Sequence, residues 1–381
     1  MTRTAPILPG ATLGILGGGQ LGRMTALAAR AMGYRVHVLD PDPDCAARGV
    51  VDGCVTAAWD DADAAARFAA QCDVVTLEIE KVSPAVLDAA AQHAPVRPGA
   101  ALLAMIRDRA RQKRWLDRYG FPVPDFAEAR TPAELVLSLA RVGPQCYVKA
   151  TTGGYDGRGQ VRVDGVADAD AAWDALGRGP VLVEEALDLE GELSVLVARR
   201  PRGESVVYPV AANRHRDRVL DWSILPGPVP EALARCAQAM AREIAETARV
   251  EGLLVVEMFV ARGGRLFVNE LAPRPHNSYH ASERACVTGQ FEQLVRAVCD
   301  LPLGSVEVVQ PAAIANLLGD AWDAGGAPPF ERGLEVPGVR VHLYGKKIAR
   351  PGRKMGHLSA VGGSPEEALA RVHAARQRVC A

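Results

Sequence analysis

Two glutamates flank a glycine pair in a way that could bind a cation. Leu253–Ala261 and Leu266–Glu270 are strand-like runs on either side of Gly263-Gly264. A Gly-Gly centre suits a two-residue hairpin turn, in which both positions take positive φ. Counting outward from that turn pairs Arg262 with Arg265, Val260 with Phe267 and Glu257 with Glu270. Directly opposed residues share a face, and like charges there destabilise the sheet unless something offsets them. Magnesium would do so, since it favours one or two carboxylates completed by phosphate oxygens. The same count sends Asn269 to the opposite face. On spacing alone, the pair reads equally well as two solvated acids on a sheet edge.

A second stretch could hold phosphate. Tyr147-Val148-Lys149 ends an apolar run and leads into Thr151-Thr152-Gly153-Gly154-Tyr155-Asp156-Gly157-Arg158-Gly159-Gln160. Glycines let backbone N–H groups approach phosphate oxygens, because no Cβ stands in the way. Lys149 before the loop and Arg158 within it add charge and favour a phosphate cover over a plain flexible hairpin. The chain contains no G-x-x-x-x-G-K-[ST] string, so this is not a P-loop. Val181–Leu187 is an apolar strand running into Glu184-Glu185, whose backbone can read an adenine edge and whose acids can take a ribose hydroxyl. A third stretch, Gly17-Gly18-Gly19-Gln20-Leu21-Gly22, fits G-x-G-x-x-G, and Asp40 ends the next strand. That is the dinucleotide fingerprint of an NAD enzyme. It leaves the acid pair and the second glycine loop without a purpose.

These stretches need elements to place them. Thr12–Leu16, Tyr34–Asp40, Val50–Thr56 and Val74–Leu77 read as strands alternating with helices, hence a parallel sheet up to about Pro98. Arg107–Tyr119 is dense in charge and reads as an exposed helix. Phe121-Pro122-Val123-Pro124 is a stiff linker. A smaller unit follows, with strands at Cys146–Lys149, Gln160–Val163 and Pro180–Glu184. The remainder carries strands at Glu192–Ala198, Val206–Val210, 312–318 and Val339–Tyr344, a helix from Pro230, a basic turn at 346–357 and a last helix from Pro365. The division expected is 1–107, 108–188 and 189–381.

Composition limits the function classes. The 381 residues are 49% hydrophobic and 23% charged, with 44 basic and 45 acidic side chains and a net charge of -1. So even a balance argues against bulk binding of nucleic acid or an anionic membrane. The eight cysteines are scattered with no C-x-x-C pair, which fits a reducing cytosol. No apolar run approaches the roughly 18 residues of a membrane span, and the start of the chain does not read as a secretory signal.

Gly17–Met24, Thr152–Gln160, Asn269–Ser278 and Arg350–His357 together resemble the ATP-grasp superfamily, and within it the 5-(carboxyamino)imidazole ribonucleotide synthetases of purine biosynthesis. The string Asn269-Glu270-Leu271-Ala272-Pro273-Arg274-Pro275-His276-Asn277-Ser278 is the most specific, supported by Gln290-Phe291-Glu292-Gln293 behind it. The resemblance implies an α/β fold of three domains: a Rossmann-like parallel sheet, a small α+β lid and a larger α+β domain with an antiparallel sheet. It implies a cytoplasmic homodimeric ligase using ATP, two magnesium ions, bicarbonate and aminoimidazole ribonucleotide. Arg109, Lys149 and Gly154–Gln160 (Gly154, Tyr155, Asp156, Gly157, Arg158, Gly159, Gln160) would meet the ATP phosphates. Glu184, Glu185, Ala186, Leu187, Glu192 and His215 would hold adenine and ribose. Asn269 and Glu270, with Glu257, would complete the metal end. Arg274 would stabilise bicarbonate and its acyl phosphate. Gln20, Leu21, Glu78, His276, Asn277, Lys346, Arg353 and Lys354 would face the acceptor nucleotide. Tyr279 departs from the pattern, where glycine is usual, and is expected to reshape the acceptor pocket. Ser282-Glu283-Arg284 and Gly289 depart as well. Formate-dependent glycinamide ribonucleotide transformylase and biotin carboxylase have similar ATP sites. A nucleotide-binding regulator would not need Glu257, Glu270 and Arg274 together.

Overall fold

A computed structural model describes residues 5–153, 159–322 and 326–380. The first layer is the expected parallel sheet. β1 (Thr12–Leu16), β2 (Arg35–Asp40), β3 (Gly53–Thr56) and β4 (Val74–Leu77) lie in the order β3-β2-β1-β4. α1 (Gln20–Ala31), α2 (Ala62–Ala69), α3 (Pro84–Ala91) and α4 (Ala100–Ile106) accompany them. β1 and β4 are buried along their whole lengths, as strands covered on both faces must be.

α5 (Arg109–Arg118) begins at Asp108, whose carboxylate caps it by accepting from the Arg111 N–H. It is not the exposed helix that its charge density implies. Ala110, Gln112, Lys113 and Leu116 are buried, because the helix packs against the other sheets.

The small unit is a four-stranded antiparallel sheet in the order β5-β8-β6-β7, flanked by two helices. Its elements are β5 (Phe126–Ala129), α6 (Pro132–Val142), β6 (Cys146–Ala150), β7 (Gln160–Val163), α7 (Ala169–Ala175) and β8 (Val181–Glu185). β6 and β7 bracket the second glycine loop, with Lys149 opposite Gln160. Gly154, Tyr155, Asp156, Gly157 and Arg158 lie outside the described residues.

The third layer is a nine-stranded antiparallel sheet. β9 (Leu189–Arg199), β10 (Ser205–Val207), β11 (Ala211–Arg216), β12 (Val219–Leu225), α8 (Glu231–Thr247), β13 (Gly252–Ala261) and β14 (Arg265–Ala272) come first. α9 (Ser282–Ala285), α10 (Gln290–Val298), β15 (Ala312–Leu318), α11 (Phe330–Leu334), β16 (Val339–Leu343), β17 (Lys354–Val361) and α12 (Pro365–Cys380) complete it. The main strand order is β14-β13-β9-β11-β12-β15-β17-β16, so β14 is an edge strand. The basic turn read at 346–357 is shorter than expected, because Lys354 onward forms β17. Among the described residues no helix is long and apolar enough to cross a membrane.

The hairpin differs from the simple count. Ala261 pairs with Arg265, so Arg262, Gly263 and Gly264 form a three-residue loop, closed by Gly264 N–H donating to the Ala261 carbonyl at 3.0 Å. Val260 therefore faces Leu266, not Phe267. Further along, Met258 faces Val268 while Glu257 faces Glu270, which leaves Asn269 as the extra residue of a β-bulge. The longer loop and the bulge each shift the register by one, in opposite senses. Glu257 and Glu270 face each other after all, and strict alternation no longer places Asn269 on the far side.

Candidate active site

Glu257 is the centre of the acid pair. It is buried, and burial together with the neighbouring Glu270 pushes its carboxyl up to about 7. Its Oε1 lies 3.1 Å from His276 Nε2. The charges that act on it also include His215, Glu192 and Lys354. His215 Nδ1 bonds the Glu192 carboxylate. Burial works against charge on His215, but the Glu192 bond and the Glu257 charge outweigh it and raise its pKa. The structure thus gathers Glu192, His215, Glu257, Glu270, His276 and Lys354. His276, read from the resemblance as an acceptor residue, sits against the acid pair. A buried carboxylate beside a second carboxylate, both accepting groups, fits a hard divalent cation. Among the described residues no three His, Cys, Asp or Glu side chains are placed to hold a metal ion by themselves, so phosphate and water would supply the remaining ligands.

Lys149, at the end of β6, is buried and pairs with Glu184 on β8. Glu184 is shared: Lys113 Nζ, from α5, lies 3.1 Å from its Oε1. Burial alone would raise the Glu184 carboxyl, but the two lysines pull it down to about 2. Its carboxylate is therefore committed to lysines and is not offered to a ribose. Glu185, exposed, and the half-buried Ala186 and Leu187 continue toward β9. Arg109 is anchored at the same place, its NH1 donating to the Ala150 carbonyl at 3.0 Å. Gly159 accepts from Ala150 N–H at 2.8 Å and closes the base of the loop.

Lys113 escaped the sequence reading. Its signal was helical spacing: it stands four residues after Arg109 on the same face. Glu80 was missed too. Arg274, the bicarbonate candidate, has its Nε 2.8 Å from Glu80 Oε1, which ties β14's exit to the first sheet.

The first glycine turn is already filled. Glu78 accepts from the N–H groups of Gly19 (2.9 Å), Leu21 (3.1 Å) and Gly22 (3.0 Å). Those amides form the start of α1, where a dinucleotide's pyrophosphate would sit. Asp40 accepts from Gly18 N–H at 2.7 Å instead of awaiting a ribose. The fingerprint is real, but its anion site holds the chain's own carboxylate. Gln20 and Lys346 do meet: Nζ donates to Gln20 Oε1 at 2.6 Å. Asn277 is buried, and neither end of its amide has a partner among the described residues. Arg353 turns into its own loop, donating to the Ile348 carbonyl at 2.7 Å.

Tyr279 does not reshape an acceptor pocket. It is fully buried, packs edge-on against Tyr208, and its hydroxyl lies 2.9 Å from the Ser194 carbonyl and 2.8 Å from that of Pro209. Glu283 and Gly289 form one compensating pair. The Glu283 carboxyl accepts from Phe291 N–H at the start of α10, and a Cβ at position 289 would lie 2.2 Å from its Oε1.

Lys149 on the small antiparallel sheet and Lys113 on α5, both bound to Glu184, together with an acid pair on the large sheet, mark an ATP-grasp ligase. Residues 114–291 match the ATP-grasp domain, residues 10–107 the ribonucleotide synthetase preATP-grasp domain, and residues 312–371 the phosphoribosylaminoimidazole carboxylase C-terminal domain. The chain belongs to the N5-carboxyaminoimidazole ribonucleotide synthase family. It is 37% identical to that enzyme from Brucella melitensis over 93% of this chain and 97% of the relative. The Staphylococcus aureus synthetase complexed with ADP superposes with a TM-score of 0.92 at 31% identity, covering 98% of this chain and 99% of that one. The Aspergillus clavatus synthase, in complex with ADP and 5-aminoimidazole ribonucleotide, does so with a TM-score of 0.88 at 31% identity, covering 97% and 98%.

Proposed function

We propose that this chain catalyses its family's reaction, the ATP-dependent carboxylation of 5-aminoimidazole ribonucleotide by bicarbonate. A bicarbonate oxygen attacks the γ-phosphorus of ATP, the bond to the β–γ bridging oxygen breaks, and ADP leaves. The 5-amino nitrogen then attacks the carboxyl carbon of carboxyphosphate, and phosphate leaves with the electron pair of the broken C–O bond. The observation that carries this reading is that Lys113, which shares Glu184 with Lys149, also reaches the Asn269 carbonyl beside the opposed Glu257 and Glu270.

Phosphoryl transfer needs alignment and charge neutralisation more than covalent help. Lys149 and Arg109 supply cations at the phosphates, with the 154–160 loop as their cover. Glu184 holds Lys149 in place. Glu185–Leu187, Glu192 and His215 border the base and ribose. Glu257 and Glu270, with Asn269 beside them, would hold two magnesium ions. Bound magnesium neutralises charge spread over the transferring phosphoryl oxygens. Arg274 orients bicarbonate. Asn277, whose buried amide needs partners, binds the acceptor with Gln20, Leu21, His276, Lys346, Arg353 and Lys354. Glu78 shapes that surface by holding the turn. The units 1–107, 108–188 and 189–381 act as acceptor platform, lid and catalytic body. A cytoplasmic homodimer belongs to the same proposal.

The test is ADP release with aminoimidazole ribonucleotide and bicarbonate, each omitted in turn. Full turnover is expected only with both. Stimulation by glycinamide ribonucleotide plus formate, or dependence on biotin, would overturn the assignment within the superfamily.

A further inference from the structure

β14 is an edge strand, yet its outer side is not open. The Pro122 carbonyl accepts from Val268 N–H at 2.7 Å. Lys113 Nζ donates to the carbonyls of Val268 and Asn269, each at 3.0 Å. Gln112 Oε1 accepts from Leu271 N–H at 3.1 Å. Two consecutive side chains of α5 thus grip β14 immediately before and after Glu270. The grip falls on the bulge, where Asn269 is the extra residue and the ladder to β13 is interrupted. A bulge re-aims the side chains around it, but its unpaired backbone groups need other partners. Lys113 supplies one, and it is fully buried to do so. It also binds Glu184, the partner of Lys149. One ammonium therefore connects the metal carboxylate to the phosphate lysine.

We propose that Lys113, with Gln112 beside it, is a positioning residue that sets the divalent-cation affinity of the site by locking the Asn269 bulge, and hence Glu270, against α5. The inference rests on Glu257 and Glu270 being cation ligands. Supporting partners of metal ligands are worth about 10–100-fold in metal affinity.

The experiment measures Mn2+ binding to the purified full-length chain by electron paramagnetic resonance in the presence of ADP, with metal-free ADP binding measured alongside. Lys113→Met keeps the stem and leaves Glu184 paired with Lys149. It is expected to weaken Mn2+ binding about tenfold while changing metal-free ADP affinity much less. A folded Lys113→Met with wild-type Mn2+ affinity overturns the proposal. Should that variant fail to fold, Gln112→Leu removes the acceptor for Leu271 N–H together with the amide donor to the Ile106 carbonyl, and leaves Lys113 in place. It is expected to weaken Mn2+ binding by a smaller factor, and unchanged binding overturns the proposal. Glu270→Gln is the reference: if it binds Mn2+ like the wild type, the cation reading of the acid pair fails. If it binds poorly while Lys113→Met binds normally, only the role of Lys113 fails.

Discussion

The chain has two glycine-rich turns with opposite fates. At Gly17–Gly22 the glycines make room for the protein's own carboxylate: a Cβ at Gly17 would lie 2.4 Å from Glu78 Cγ, and one at Gly19 2.5 Å from Glu78 Oε1. Beside Gly153, after Lys149, no such carboxylate intrudes among the described residues. Gly153, at φ +79°, has no described atom within 4 Å of where its Cβ would stand, so it serves conformation and not space. Lys149 and Arg109 stand at the described base of the second loop, and the Glu78 carboxylate fills the first. A glycine pattern states only that backbone amides can be approached. What approaches them is set by the charges around them, Glu78 from a distant part of the chain in one case and the adjacent Lys149 in the other.

The largest expected effect breaks the comparison on its open side. Glu270→Gln removes one of two opposed carboxylates from the proposed phosphoryl-transfer site. Turnover should fall on the order of 10²–10³-fold, the scale of losing one charge-stabilising group at a transition state. The Tm without ligands should hold or rise, because Glu257 and Glu270 repel each other. Steady-state kinetics and a melt on the same preparation check both halves. An unimpaired enzyme would mean that the acid pair holds no cation used in turnover.

Glu78→Gln sharpens the closed side. It places an amide among three N–H donors and should cost about 1–3 kcal/mol of stability, read by urea denaturation. The pH dependence is also defined. Burial pushes Glu78 up to about 7 from 4.5, against the pull of the Gly22 and Gly19 amides. Between about 4.5 and 7 the folded chain binds more protons than the unfolded one, so this group makes stability fall as pH rises through that window and leaves it level above. The slope is at most about 1.4 kcal/mol per pH unit, and the Gln variant should lose it. Unchanged slopes would show that Glu78 is not what fills the turn.

The same contrast marks how far the sequence could be read. The parallel sheet was legible because its apolar runs and turn residues are local. The Glu257–Glu270 opposition was legible for a less secure reason: two one-residue errors, the three-residue loop and the Asn269 bulge, cancel. Lys113 was hidden, since its burial depends on carbonyls 155 and 156 positions away and on Glu184, and helical spacing after Arg109 was the one local sign of it. Glu78 was assigned to the acceptor side by the family resemblance alone, and no local pattern tied it to the Gly17–Gly22 turn. Whether it faces outward or plugs the amides is a matter of tertiary packing.

The smallest effect concerns Tyr279, which sequence placed at the acceptor and packing places in the core. Tyr279→Phe keeps the ring against Tyr208 and removes only the hydroxyl. That hydroxyl carries one proton and stands between two carbonyls, so its loss should cost about 1 kcal/mol. The KM for aminoimidazole ribonucleotide should not move, because nothing of the ring reaches solvent. A shift in KM with unchanged stability would return Tyr279 to the acceptor pocket. It would also imply that the sheet beneath Asn277 yields on binding, since the Ser194 hydroxyl that bonds Ser278 lies on the same residue whose carbonyl meets the phenol.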